Sequence, residues 1–250
     1  MTLFGKKIPI FFSLVIWSIV WELIGQAKLS TIIPPFSRVV AAGITIVPTE
    51  KFSAAASISL RSFAIGMALS LAIGIPFGVL MARVESLGRI LGMWVNIFVS
   101  APISALVPIL MAVVGIGETT VVVTVFLFAV FVIILDTRVG VKQADRSLVE
   151  MARSFGARRD QLYTKVLILS ALPEILAGLR LGAIRGVKGV VIGQLLVAII
   201  GVGELFELYS QYFLMEEFWA LVIIVFMFAL AVSEAIAFLE KRVEYYASAR

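Results

Sequence analysis

Six apolar runs divide this chain, at about 8–26, 54–83, 88–113, 119–137, 170–200 and 217–240. Each is long enough to cross roughly 30 Å of hydrocarbon as a helix. A helix also satisfies its own backbone polar groups, which lipid cannot do. The runs therefore predict an all-α polytopic membrane protein with about six transmembrane helices. Composition agrees: 61% of the residues are hydrophobic, against roughly 45–50% in a soluble domain, and the mean hydropathy is +1.09.

The first run follows Lys6 and Lys7, as a signal peptide would. It is long for that role, and Gly25-Gln26-Ala27-Lys28 offers no clean small-x-small cleavage site, so it reads as an uncleaved span. The segment 30–50 is not a span. Pro34-Pro35 forces an extended entry, and Ser37 is placed to cap a short helix beginning near Arg38. Lys and Arg set the orientation. With the N-terminus inside, fourteen fall on inner segments and four (Lys28, Arg38, Lys51 and Arg61) on outer ones. This is the positive-inside asymmetry. It places both termini in the cytoplasm and directs the net charge of +5 towards anionic lipid rather than nucleic acid. Glu118, Glu204, Glu207, Glu216 and Glu217 lie outside.

Several chemistries are excluded. The chain contains no Cys and no His, which removes thiolate and imidazole metal sites, His-based triads and the usual proton shuttle. No Gly-x-x-x-x-Gly-Lys-Ser/Thr occurs, so ATP is not bound through a P-loop. No catalytic residue, metal site or cofactor is expected.

Inside the spans, four features depart from plain apolar helix. The second run carries Gly66, Gly74 and Gly78, which permit close helix approach, and Pro76, which kinks. The third run contains Pro102 and Pro108, which loosen the helix either as static kinks or along a translocation path. Gly115-Ile116-Gly117-Glu118 and Gly201-Val202-Gly203-Glu204 repeat one stop signal, a glycine ending followed by a carboxylate at the next helix start. The fifth run holds Arg180, Arg185 and Lys188, with Gln194 further along. Arg180 is near enough to the inner surface to snorkel. Lys188 falls near mid-membrane, where a charge costs at least about 2.5–3.5 kcal/mol. It needs a partner or water. Glu22, Glu174 and Glu234 are the acids within spans, and none lies at its depth. Lys188 is thus either a buried pair or dimer contact, or part of a basic lining with Arg185 and Gln194 for an anion crossing the membrane.

Between the fourth and fifth runs lies LVEMARSFGARRDQLYTKVLILSALP, residues 148–173. Arg153, Arg158, Arg159 and Lys165 make its first part too charged for a bilayer. Leu148, Ala152 and Phe155 share a helical face, continued by Leu162 and Val166 beyond Gly156, a residue suited to a change of direction. The stretch resembles the coupling loop of bacterial ABC-importer permeases: Glu-Ala-Ala, three residues, Gly, nine residues, Ile-x-Leu-Pro. Glu150-Met151-Ala152, Gly156 and Val166-Leu167-Ile168-Leu169 stand at those positions. Met151 and Leu169 depart from the pattern. Pro173 and Gly178-Leu179-Arg180 are similar to the nitrate/sulfonate/taurine-type branch, as are Ser59-Leu60-Arg61 and Gly74-Ile75-Pro76-Phe77-Gly78. That branch often has Ala-Trp and then Glu where this chain has Gly186-Val187 and Gln194.

The resemblance covers about residues 30–245. It implies a type I ABC importer permease fold, with a first helix and outer-face connector at 1–52, a permease core at 53–245 and a cytoplasmic coupling loop at 138–166. It further implies a multi-pass protein of the bacterial inner membrane, coupled to an ATPase through Glu150, Ala152, Phe155, Gly156 and Leu162. Its partners would be two ATP-binding subunits, a second permease subunit forming a homodimer, an extracytoplasmic solute-binding protein and membrane lipid. Hydrolysis would reside on the separate ATPase, and the solute would be a small organic or inorganic anion. The alternative is an ion-coupled secondary transporter without an ATPase, favoured by the proline-broken third run and opposed by the absence of a mid-membrane acid. A membrane scaffold with no pathway is the remaining option.

Overall fold

The computed structural model describes the backbone at 2–3, 6–7, 10–28, 30–197 and 199–248, and side chains at 12–28, 30–145, 147–197 and 199–242. Of the residues behind the charge asymmetry, Arg250 lies outside the described residues, as do the side chains of Lys6, Lys7 and Arg146. Apart from a two-residue ladder, Thr2–Leu3 against Lys6–Lys7, the described elements are helical. They are α1 (Ile10–Gln26), α2 (Phe36–Ile46), α3 (Glu50–Arg83), α4 (Glu85–Ser100), α5 (Val107–Val114), α6 (Glu118–Gln143) and α7 (Arg146–Ser154). Then come α8 (Arg159–Ser170), α9 (Leu172–Val197), α10 (Gly201–Gln211) and α11 (Met215–Ser248).

Among the described residues, α3, α6 and the Met215–Arg242 part of α11 are long and apolar enough to span unaided. Two further runs form bent pairs: α4 with Ile103–Val114 turns by 90°, and α8 with α9 by 60°. That makes up to five spans. The first run forms a helix of 17 residues, which at 1.5 Å per residue extends only about 25 Å. Run four continues six residues further than expected, so Arg138 and Lys142 belong to α6.

The centre of the bundle is α6. Val121, Val125, Ala129 and Ile133 recur every four residues and are wholly buried, with α3 on one side and α9 on the other. Both neighbours present glycines. A Cβ at Gly66 would lie 2.6 Å from Val125 Cβ, and one at Gly78 2.7 Å from Thr137 Cβ. From α9, a Cβ at Gly182 would lie 2.9 Å from Ile133 Cγ1. In lipid no hydrophobic drive pulls helices together, so dispersion across such close approaches does the work. The glycines predicted for helix contact in α3 thus make it.

The helix after Pro34-Pro35 begins at Phe36, and its cap position is Pro35, without a side-chain cap bond. Ser37 has another task than the capping expected of it. Its N–H and hydroxyl both donate to the Glu22 carboxylate, at 2.8 and 2.9 Å. The indoles of Trp21 and Trp219 meet edge to face at 5.2 Å and donate to the carbonyls of Pro34 and Ile32. These contacts tie α1 and the connector to α2 and α11.

Candidate functional site

Two places bring the candidate residues together: the elbow at α7 and a seam where α9 meets the broken α4–α5 helix.

At the elbow, Asp145 starts α7 by accepting the Ser147 N–H at 2.8 Å. The helix ends in two bonds across its last turn. Gly156 N–H donates to Arg153 C=O at 2.9 Å and Ala157 N–H to Ala152 C=O at 3.0 Å. This is the paired-bond ending that needs a left-handed residue, and Gly156 has φ +75°. The chain then enters α8, which contains one π-helical turn, Leu162–Leu167, a feature common near functional sites. Phe155 is 85% exposed, and Met151 and Leu148 are exposed beside it. Glu150 is exposed and Ala152 half-buried. Leu162, by contrast, is buried, so it serves the packing of its own chain. The bend into the fifth span falls at Ala171, with Pro173 in the first turn of α9.

At the seam, α4 ends at Ser100, and the chain passes Ala101-Pro102 into a 3-10 turn, Ile103–Leu106, before α5 begins. Pro102 lies in the break. Pro108 occupies the first turn of α5, where the missing N–H costs nothing. Both prolines are exposed. The turn and α5 pack on α9. Arg185, half-buried, reaches across with Nη1 3.5 Å from Val99 C=O. It thereby places a cation at the end of α4, whose last carbonyls have no helical partners and carry the negative end of the helix dipole. Lys188, one turn further along, is exposed on a face shared with Leu181 and Leu195. Arg185 and Lys188 thus lie one turn apart on the helix against which the Pro102 break and α5 pack.

Gln194 does not join them. It is wholly buried, its Oε1 accepting from the Ser59 hydroxyl at 2.8 Å and the Gly203 N–H at 3.3 Å. Ser59 Oγ in turn accepts the Val202 N–H at 3.0 Å. The node pins the start of α10 to α3 and α9. Gly201, with φ +65°, makes the turn into it, and Glu204 lies in its first turn. At the other stop signal Glu118 starts α6 and binds Arg61 of α3, with Nε–Oε1 2.7 Å.

Two charges differ from expectation. Arg180 does not simply snorkel; it pairs with Glu240 of α11 at 3.2 Å. Asp136 was missed, although a lone Asp in Ile133-Ile134-Leu135-Asp136-Thr137 marks it in the sequence. Its Cβ fills the space over Gly178 on α9. Its Oδ2 is buried without a hydrogen-bond partner among the described residues, within electrostatic reach of Glu174 and Arg185.

Comparison with known proteins fits this geometry. The chain is 29% identical over 177 residues to a putative ABC transporter permease protein of Methanocaldococcus jannaschii, covering 66% of this chain and 64% of that protein. The match thus spans less than two thirds of that relative's length. To the taurine transport system permease protein TauC of Escherichia coli it is 25% identical, over 89% of this chain and 84% of that one. The fold matches an inward-facing structure of the MetNI methionine ABC transporter with a TM-score of 0.65 at 22% identity, covering 74% of this chain and 93% of that one. Residues 74–245 match the family described as binding-protein-dependent transport system inner membrane component. The bent spans, the glycine-packed centre and that match over most of the length lead to one conclusion: the chain belongs to this family, as a multi-pass protein of the inner membrane.

Proposed function

We propose that the chain is the permease subunit of an ATP-driven importer and hands conformational work from a separate ATPase to a membrane pathway. The observation that carries this reading is the elbow. A short helix capped at both ends presents Leu148, Met151 and Phe155 to solvent, on a protein with no P-loop of its own. Such a patch on a charged loop is a docking surface. In this reading Glu150 supplies a polar contact, Phe155 an apolar anchor, and Gly156 sets the angle of the lever. The α7 end of the bundle is cytoplasmic, in keeping with its Lys and Arg. Two ATPase subunits dock there, a second permease copy completes the pathway, and a solute-binding protein delivers solute at the opposite face.

The pathway is assigned to the seam. Lys188 is exposed on an otherwise apolar face of a membrane helix. That is tolerable only against water or a partner copy. With Arg185 beside it, the lining favours a small anion. The sulfonate of taurine, named in the Escherichia coli relative, is of that class. Lys188→Met is expected to lower anion uptake, and unchanged uptake would remove the anion assignment.

Affinity purification of the tagged full chain tests the whole reading. A Walker-A ATPase should co-purify, and uptake in proteoliposomes should require it. Uptake driven by an ion gradient through this chain alone would overturn the proposal.

A further inference from the structure

Among the described residues, helix α7 packs on the π turn of α8 and follows α6 after Ala144 and Asp145. Two sets of contacts join α8 to the adjacent end of α3. Leu167 and Ile168 of α8 pack into an apolar cluster with Val79 and Ala82 of α3, around buried Val141, Ala171 and Ile175. One turn earlier, the Arg83 guanidinium lies over the Tyr163 ring, 4.8 Å from its centroid. Arg83 is the last residue of α3, and Tyr163 lies inside the π turn of α8. The apolar cluster is shared with α6 and α9 and is not directional. The stacked pair joins α8 to α3 alone, at the tip of a helix that runs the whole depth of the bundle.

We propose that Arg83 and Tyr163 form a strut that transmits movement of the α7–α8 elbow into α3. The proposal rests on the coupling function assigned to the elbow above. Both are positioning residues: neither touches solute or nucleotide. The contact needs a cation and an aromatic face, not the tyrosine hydroxyl. A flat guanidinium stacks on a ring better than a compact ammonium does. An exposed pair of this kind biases an equilibrium by a factor of about 2 to 5. That is a sensible size for one strut beside an apolar cluster.

The chain contains no cysteine, so it can be purified and labelled at the introduced sites alone before the complex is assembled with unlabelled ATPase. Two spin-label pairs are made in the full complex, in nanodiscs. One joins Ser154→Cys on α7 to Ile116→Cys at the opposite end of the bundle. The other joins Leu80→Cys on α3 to the same reference. Distances are compared without nucleotide and after trapping with ATP and vanadate. In the otherwise unaltered chain both pairs should shift together. With Tyr163→Leu or Arg83→Leu, the Ser154 pair should still shift, while the shifted population of the Leu80 pair drops about 2- to 5-fold. Tyr163→Phe should retain the full shift, Arg83→Lys should retain part of it, and the double Leu variant should be no worse than either single one. A full Leu80 shift in Tyr163→Leu would overturn the strut and leave the elbow intact. So would losses that multiply in the double variant. Absence of a Ser154 shift in the unaltered complex would instead overturn the coupling function itself.

Discussion

Replacing Gln194 by leucine removes one acceptor that serves two donors, the Ser59 hydroxyl and the Gly203 N–H. The two donors differ in what they can do next. Ser59 Oγ already lies 3.0 Å from Ala55 C=O and can turn its proton there. The Gly203 N–H has no such alternative, and a stranded buried N–H costs about 1–3 kcal/mol. The cost should fall on α10, because Val202 and Gly203 belong to its first turn. Gln194→Glu is the informative control. Nε2 of Gln194 has no hydrogen-bond partner among the described residues, so the acceptor carries the contacts. A carboxylate keeps that acceptor and sits at a helix start, where the dipole favours it. Hydrogen exchange at the Val202–Leu205 amides, measured in detergent or nanodiscs, reads the difference. A loss of about 1–3 kcal/mol corresponds to roughly 5- to 150-fold faster exchange in Gln194→Leu. Gln194→Glu should remain close to the original rate. The reasoning fails if Leu exchanges at that original rate, or if Glu exchanges as fast as Leu.

Gly156→Leu forces a branched side chain to φ +75°, at a cost of about 1–2 kcal/mol, and disturbs the paired-bond ending of α7; uptake should be lost while membrane insertion, followed by fractionation, is retained. Gly78→Val meets Thr137 Cβ at 2.7 Å, so α3 and α6 must part, at an overpacking cost of about 1–3 kcal/mol that lowers the thermal midpoint; an unchanged midpoint would mean that the two helices are not packed as described. Glu118→Arg should weaken the join between α3 and the α5–α6 turn, and combination with Arg61→Glu should restore it in a thermal melt. The whole effect should be small, about 1 kcal/mol or less, because Arg61 is exposed.

Run length and hydropathy made α3, α6 and α11 legible as spans, since a helix crossing lipid needs little else; the first run is shorter than it reads, and two others are bent. The 90° turn in the third run was not legible. Pro102 and Pro108 mark where the helix is weak, but the angle depends on contacts from elsewhere, among them Arg185 reaching Val99. Gly156 was readable because a left-handed helix ending selects glycine almost by itself. Leu162 was misleading: it continues the apolar face of α7 in sequence, yet lies beyond a change of direction and turns inwards. Gln194 shows a different kind of failure. Depth placed it with Arg185 and Lys188, but depth does not say which way a residue faces. At 100° per residue, Arg185 and Lys188 stand about 60° apart on α9, while Gln194 stands about 120° from Lys188. The cations therefore lie on neighbouring faces, Lys188 exposed and Arg185 half-buried, and the amide is turned towards α3 and α10. Gln194 is enclosed in a packing node, so its amide does not line the seam. The proposed preference for an anion therefore rests on Lys188 and on Arg185, which has the buried Asp136 carboxyl within electrostatic reach.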